Sequence, residues 1–177
     1  MSEDRTRALQ MLQTAMQMEE KGHRFYQKKV AECTNDLARQ IFEKLRDDEV
    51  VHVARIKRIW SFLDRGQPWS DEWEAEGQAT DDLQGFFRDL AKAHGTEVQT
   101  DQGDLEALEM GIDFEQRAVA YDQNQLDEAR GPQERQFIQR MIAEERSHYA
   151  ALVDVKYDLT DPEAWTLEME RAGLDGA

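Results

Sequence analysis

A single cysteine, Cys33, excludes an internal disulfide and any metal site built from four cysteines. Only 3 prolines and 10 glycines interrupt 177 residues, so little stands in the way of long helices. Positive charge is scarce: 22 basic residues face 38 acidic ones, and the formal net charge of -16 argues against nucleic acid or an anionic membrane surface as a partner. No apolar run approaches the roughly 18 residues of a membrane span. The opening "MSEDRTRALQ" does not read as a signal peptide. The expectation is a soluble cytoplasmic protein with one core-forming domain.

What is there is helical periodicity. Residues of 40% hydrophobic and 34% charged character recur at helical spacing along most of the chain. A first helix is predicted after Ser2, with the inner stripe Leu9, Leu12, Met16, Glu19, His23, Tyr26 and Val30. A turn at "CTND" (33–36) leads to a second helix ending near Leu63. The loop "RGQPWSDEWEAEGQ" (65–78) follows, its two tryptophans reading as structural. Thr80, Asp81 and Asp82 then cap a short helix that stops near His94 and Gly95. A third long helix starts between Asp101 and Asp104, and a fourth follows the "RGPQ" turn (130–133) with Pro132 at its first position. The predicted organisation is all-α: hairpins 3–63 and 101–160, a crossover 64–100, together one domain 1–160, and a tail 161–177 that Trp165 pins down.

One stretch breaks the apolar pattern. In "RDDEVVHVARI" (46–56), Glu49 and His52 fall on the stripe of Leu45, Ile56 and Ile59 that should be buried. The rest of the chain supplies partners, because it repeats itself. "ERSH" (145–148) lies 96 positions after "EVVH" (49–52), and Glu115 lies 96 after Glu19. Within each half the two glutamates are 30 residues apart, centred on a turn. In an antiparallel hairpin they therefore stand at the same height. Each Glu-x-x-His pair shares one helix face. The crossover is long enough to run back along a helix of roughly 42 Å, at 1.5 Å per residue. The hairpins can then meet about a two-fold axis, and four carboxylates and two imidazoles converge. Arg and Lys lie mostly off these stripes, whereas two divalent ions would neutralise the cluster.

"MEEKGHRFY" (18–26), "EVVH", "FEQRAVAY" (114–121) and "ERSH" together resemble the ferritin-like di-iron carboxylate proteins, and among them the rubrerythrins, over about residues 5–160. The resemblance implies a ferritin-like four-helix bundle with one Glu from each of two helices and Glu-x-x-His from the others. Carried over residue by residue, it implies that Glu19 and His52 are terminal on one ion and Glu115 and His148 on the other. Glu49 and Glu145 would bridge. Two iron ions are expected, though manganese or zinc suits the same donors. His23, Tyr26, Tyr121 and Asp122 are candidates for supporting the ligands from behind.

Two departures stand out. Rubrerythrins carry a further carboxylate three residues after the third-helix ligand, where this chain has Ala118, mirrored by Gly22. They also carry a rubredoxin domain with paired cysteines, which Cys33 alone cannot build. The implied activity is reduction of hydrogen peroxide or dioxygen with electrons from an external donor such as a rubredoxin-like protein. A ferroxidase or iron-storage role is the alternative, and a non-catalytic metal-binding scaffold or sensor the third. A homodimer, with or without exchange of hairpins across the crossover, is expected.

Overall fold

Asn35 starts the second helix by accepting the Ala38 N–H at 2.9 Å, and Asp101 starts the fourth by accepting the Asp104 N–H at 2.9 Å. The computed structural model describes residues 3–76, 82–94 and 100–174. Its helices are α1 (Glu3–Glu32), α2 (Asp36–Asp64), α3 (Leu83–His94), α4 (Gln102–Glu128), α5 (Pro132–Thr160) and α6 (Pro162–Leu174). A short 3-10 turn, Glu72–Glu76, interrupts the loop expected after α2. No strand occurs among the described residues, so the chain is all-α there. Gly66 ends α2 with a φ of 83°, a left-handed conformation that a Cβ would strain. Asp82 caps α3 by accepting the Gly85 N–H at 2.7 Å. Ser2, Thr80, Asp81, Gly95 and the His94 side chain lie outside the described residues. No described helix is long and apolar enough to cross a membrane.

The predicted tail is instead a helix over most of its length. Asp161 accepts the Ala164 N–H at 3.1 Å and Pro162 occupies the first helical position, so this dipeptide begins a helix as well as ending α5. Trp165, 4% exposed, docks edge-on against Phe87 of α3 with ring centroids 5.3 Å apart.

Contacts set the helix directions. Arg5 near the start of α1 donates to the Asp64 carbonyl at the end of α2, so these two run antiparallel. Arg7 reaches Glu134 at the start of α5, and Tyr121 near the end of α4 donates to the Met11 carbonyl at 3.1 Å. At the other end, Asp104 near the start of α4 grips the α1–α2 turn. Hence α1 opposes α4. Lys156 pairs with Glu109 at 2.8 Å, so α4 and α5 are antiparallel, and Arg55–Glu144 aligns α2 against α5 in the same sense.

Two apolar clusters result, one on each side of a polar layer. The first gathers Tyr26, Ile41, Phe42, Leu45, Leu108, Leu152 and Val155 with Phe87 and Trp165. The second gathers Met11, Leu12, Ile56, Ile59, Phe137 and Met141 with Trp73. On every long helix the candidate ligands fall where these clusters give way: Glu19, then Glu49 and His52, Glu115, then Glu145 and His148. The buried face of α1 is turned slightly from the predicted stripe. Ala8, Met11, Ala15 and Gly22 are buried with Leu12, Glu19 and Tyr26, whereas Leu9, Met16, His23 and Val30 are half-exposed. The Trp pair of the crossover packs on Phe137, Trp73 edge-on at 5.3 Å.

Asp104 carries a measurable share of this arrangement. Its carboxylate is 3% exposed and accepts the N–H groups of Thr34 and Asn35 at 3.0 and 2.9 Å and the Thr34 hydroxyl at 2.7 Å. Asp104→Ala is expected to lower unfolding free energy by about 2 kcal/mol, since three donors lose a charged acceptor. Urea denaturation checks this, and a loss below about 0.5 kcal/mol would exclude a clamping role.

Candidate metal centre

Each long helix delivers its polar residues to one level. Glu19 comes from α1, Glu49 and His52 from α2, Glu115 from α4, and Glu145 and His148 from α5. All six are buried, from 0% exposed at Glu49, His52 and Glu115 to 5% at Glu19. They form two overlapping groups: Glu49, Glu115, Glu145 and His148, and Glu19, Glu49 and His52. In each group one donor atom per residue lies within 4.8 Å of all the others. Nδ1 of His52 is 3.0 Å from Glu19 Oε2 and 3.1 Å from Glu145 Oε1. Nδ1 of His148 is 3.5 Å from Glu145 Oε2 and 3.8 Å from Glu115 Oε1. The two imidazoles stack, 5.4 Å apart and 17° from parallel.

Both rings are backed in the same crossed way. Nε2 of His52, on α2, lies 3.1 Å from Glu144 on α5, and Nε2 of His148, on α5, lies 3.4 Å from Asp48 on α2. Asp48 and Glu144 are themselves 96 positions apart. A carboxylate behind an imidazole favours the tautomer whose free nitrogen points the other way, here Nδ1 into the centre. Glu144 is in turn held by Arg55 and Arg140, both at 2.6 Å. These supports were not foreseen from the sequence. Their signal is the acidic residue just before each ligand glutamate, in "DEVVH" and "EERSH". Arg55, 2% exposed, is an exception to the expectation that basic side chains lie mostly off the buried stripes. It is tolerated there because a carboxylate meets it.

The other candidates divide. The Tyr26 hydroxyl donates to Glu115 Oε1, and the ring is fully buried against Phe42. Asp122 is 8% exposed, its carboxyl pushed well up by burial and then by the charges of Glu145 and Glu19. Tyr121, expected behind a ligand, instead donates to the Met11 carbonyl and ties α4 to α1. His23 is half-exposed at the surface and belongs to neither group.

Electrostatics make the centre costly as it stands. Burial pushes the Glu49 carboxyl well above its usual range, and Glu19 adds to the shift. Burial and the neighbouring Glu145 raise Glu115 to about 8. Burial would lower both histidines, but the surrounding carboxylates outweigh it and hold them well above the usual imidazole value. Burial would also raise Glu145, yet His148 and His52 keep it well below. No hydrogen bond reaches either oxygen of Glu49 or of Glu145, Oε2 of Glu115, or Nδ1 of His148. Buried polar atoms left in this state cost roughly 1–3 kcal/mol each. Oxygen and imidazole donors, aimed inward and without partners, are what a hard or borderline divalent cation requires.

Comparison with family models, with curated proteins and with solved structures finds no match to this chain. The donors of the site can hold a metal ion.

Proposed function

We propose that the chain is a ferritin-like, rubrerythrin-type di-iron protein that reduces hydrogen peroxide or dioxygen. One observation carries this reading: two donor groups share Glu49, and both oxygens of Glu49 and of Glu145, Oε2 of Glu115 and Nδ1 of His148 are buried without a hydrogen bond. Glu19 and His52 would hold one ion, Glu115 and His148 the other, with Glu49 and Glu145 between them. When bound, two ferrous ions supply two electrons to the oxidant. The residues of this chain provide the setting. Asp48 and Glu144 lie behind the outer ring nitrogens of His148 and His52 and favour the tautomer that turns Nδ1 toward the centre. Tyr26, whose proton burial holds in place, donates to Glu115 and orients it. The apolar clusters above and below exclude water, so the carboxylates stay dry and fixed. With Cys33 alone, this sequence builds no four-cysteine iron site, and the electrons for a second turnover come from a separate redox protein.

The expected stoichiometry is about two iron ions per chain after anaerobic ferrous loading. Glu49→Ala is expected to lose both, because both groups use that residue. Fewer than one ion per wild-type chain would overturn the proposal. Reduced protein should then react once with peroxide and stop unless a donor is added. Continued aerobic consumption of ferrous ion well beyond two per chain would instead mark a ferroxidase.

A further inference from the structure

Two surface cavities lie at the level of the centre, one against α1 and α2 and the other against α4 and α5. They occupy equivalent places in the repeat. The first, of about 170 Å³, is lined by Glu20, His23, Arg24, Glu49, Val50, Val53 and Lys57. The second, of about 270 Å³, is lined by Gln116, Val119, Arg146 and Tyr149. Each of those four residues stands 96 positions after Glu20, His23, Val50 and Val53 respectively. The shape is repeated and the chemistry is not.

Only the α1–α2 cavity has a centre carboxylate in its wall. Both oxygens of Glu49 are buried without a hydrogen bond, and the residue also belongs to both donor groups. Gly22 makes this possible, because a Cβ there would lie 2.7 Å from Glu49 Oε1; its counterpart in the repeat is Ala118. The cavity offers a carboxylate and an imidazole where its counterpart offers an amide and a valine. Opposite them it has two small apolar side chains where the counterpart has an arginine and a tyrosine. Lys57 lies 3.8 Å from Glu20, but both are exposed to solvent, so a cation can displace it.

We propose that the α1–α2 cavity is the port through which divalent cations reach the centre. Glu20 and His23 are transient ligands at its mouth, and Glu49, facing both spaces, receives the ion. The cavity opposite, lined by Gln116, Val119, Arg146 and Tyr149, offers a cation no carboxylate or imidazole and has no centre residue in its wall. This inference rests on the metal-centre reading.

The test uses cobalt(II) mixed rapidly with metal-free protein, following the absorption of bound cobalt and its final stoichiometry. The variant Glu20→Gln/His23→Val/Val53→Tyr gives the first cavity three of the four lining residues of the second. Loading is expected to slow at least tenfold with the endpoint unchanged, and His23→Val alone should slow it by a smaller factor. The opposite change, Arg146→Val/Tyr149→Val, should alter the wild-type rate less than twofold. An unchanged rate in the triple variant, with two ions still bound, overturns the port and leaves the metal centre standing. So does a slower rate in the opposite pair. Wild-type protein that binds no cobalt at the centre overturns both.

Discussion

Metal-free protein is expected to lose thermal stability as pH rises from about 5 to 8, by roughly 10 °C, and metal-loaded protein is not. Glu115 binds its proton up to about pH 8 in the folded chain and burial likewise holds the Glu49 carboxyl well above its usual range, whereas unfolded glutamates ionise near 4.5. Above that value the folded state carries protons that the unfolded state has released, so rising pH favours unfolding. His52 and His148, raised by the same carboxylates, act in the same direction: their stabilisation is complete below the unfolded imidazole value and fades as pH climbs. Glu144 and Glu145 are shifted down, so their stabilisation is lost only at acid pH and does not offset the trend. A proton shift of this size corresponds to several kcal/mol, on the order of 3 after relaxation of the site. Bound divalent ions replace the protons and add about 4 kcal/mol at a thousandfold excess over Kd. Calorimetry in chelator and in excess metal, at four pH values, is the measurement. Glu49→Gln with Glu115→Gln should flatten the metal-free profile. A wild-type profile already flat from pH 5 to 8 would refute a converging, proton-holding cluster.

Arg55→Ala is expected to be among the most damaging single changes, costing about 3–5 kcal/mol. The guanidinium is 2% exposed and pairs with Glu144 at 2.6 Å, while its flat face lies 5.8 Å from the centre of the Trp73 ring. Removal leaves Glu144, whose carboxyl His52 and Arg55 hold down at about 2 against burial, with one fewer cation. Arg140, the other cation on Glu144, is 39% exposed, so Arg140→Ala should cost less than about 1 kcal/mol. Arg55→Lys should fall between, since the charge survives and the planar fork does not. A second effect separates support of the centre from simple packing. Glu144 also backs His52, so Arg55→Ala should weaken cobalt binding about tenfold or more even at temperatures where the variant stays folded. Urea denaturation and cobalt titration provide the two readouts. Stability within 1 kcal/mol of wild type would show that the buried pair is dispensable.

The sequence by itself determined helices α1 to α5, their order and the height of the polar layer, but not α6, which it read as a tail. Caps at Asn35 and Asp101 and a periodic apolar face are local features. The 96-residue repeat with glutamates equidistant from each turn sets which residues share a level. Glu19, Glu49, His52, Glu115, Glu145 and His148 were legible for that reason, and the structure brings all six together. Tertiary structure decided the rest. Periodicity places a face only to within a fraction of a 3.6-residue turn. It could not say that α1 buries Met11 and Gly22 while His23 stays half-exposed. It could not say that Tyr26 bonds Glu115 while Tyr121 bonds a backbone carbonyl. Asp48, Glu144 and Arg55 matter because side chains from opposing helices meet across the bundle, and such contacts depend on the rotation and separation of packed helices. The two cavities make the same point: the repeat places them alike, and the absent Cβ of Gly22 lets Glu49 wall only one of them.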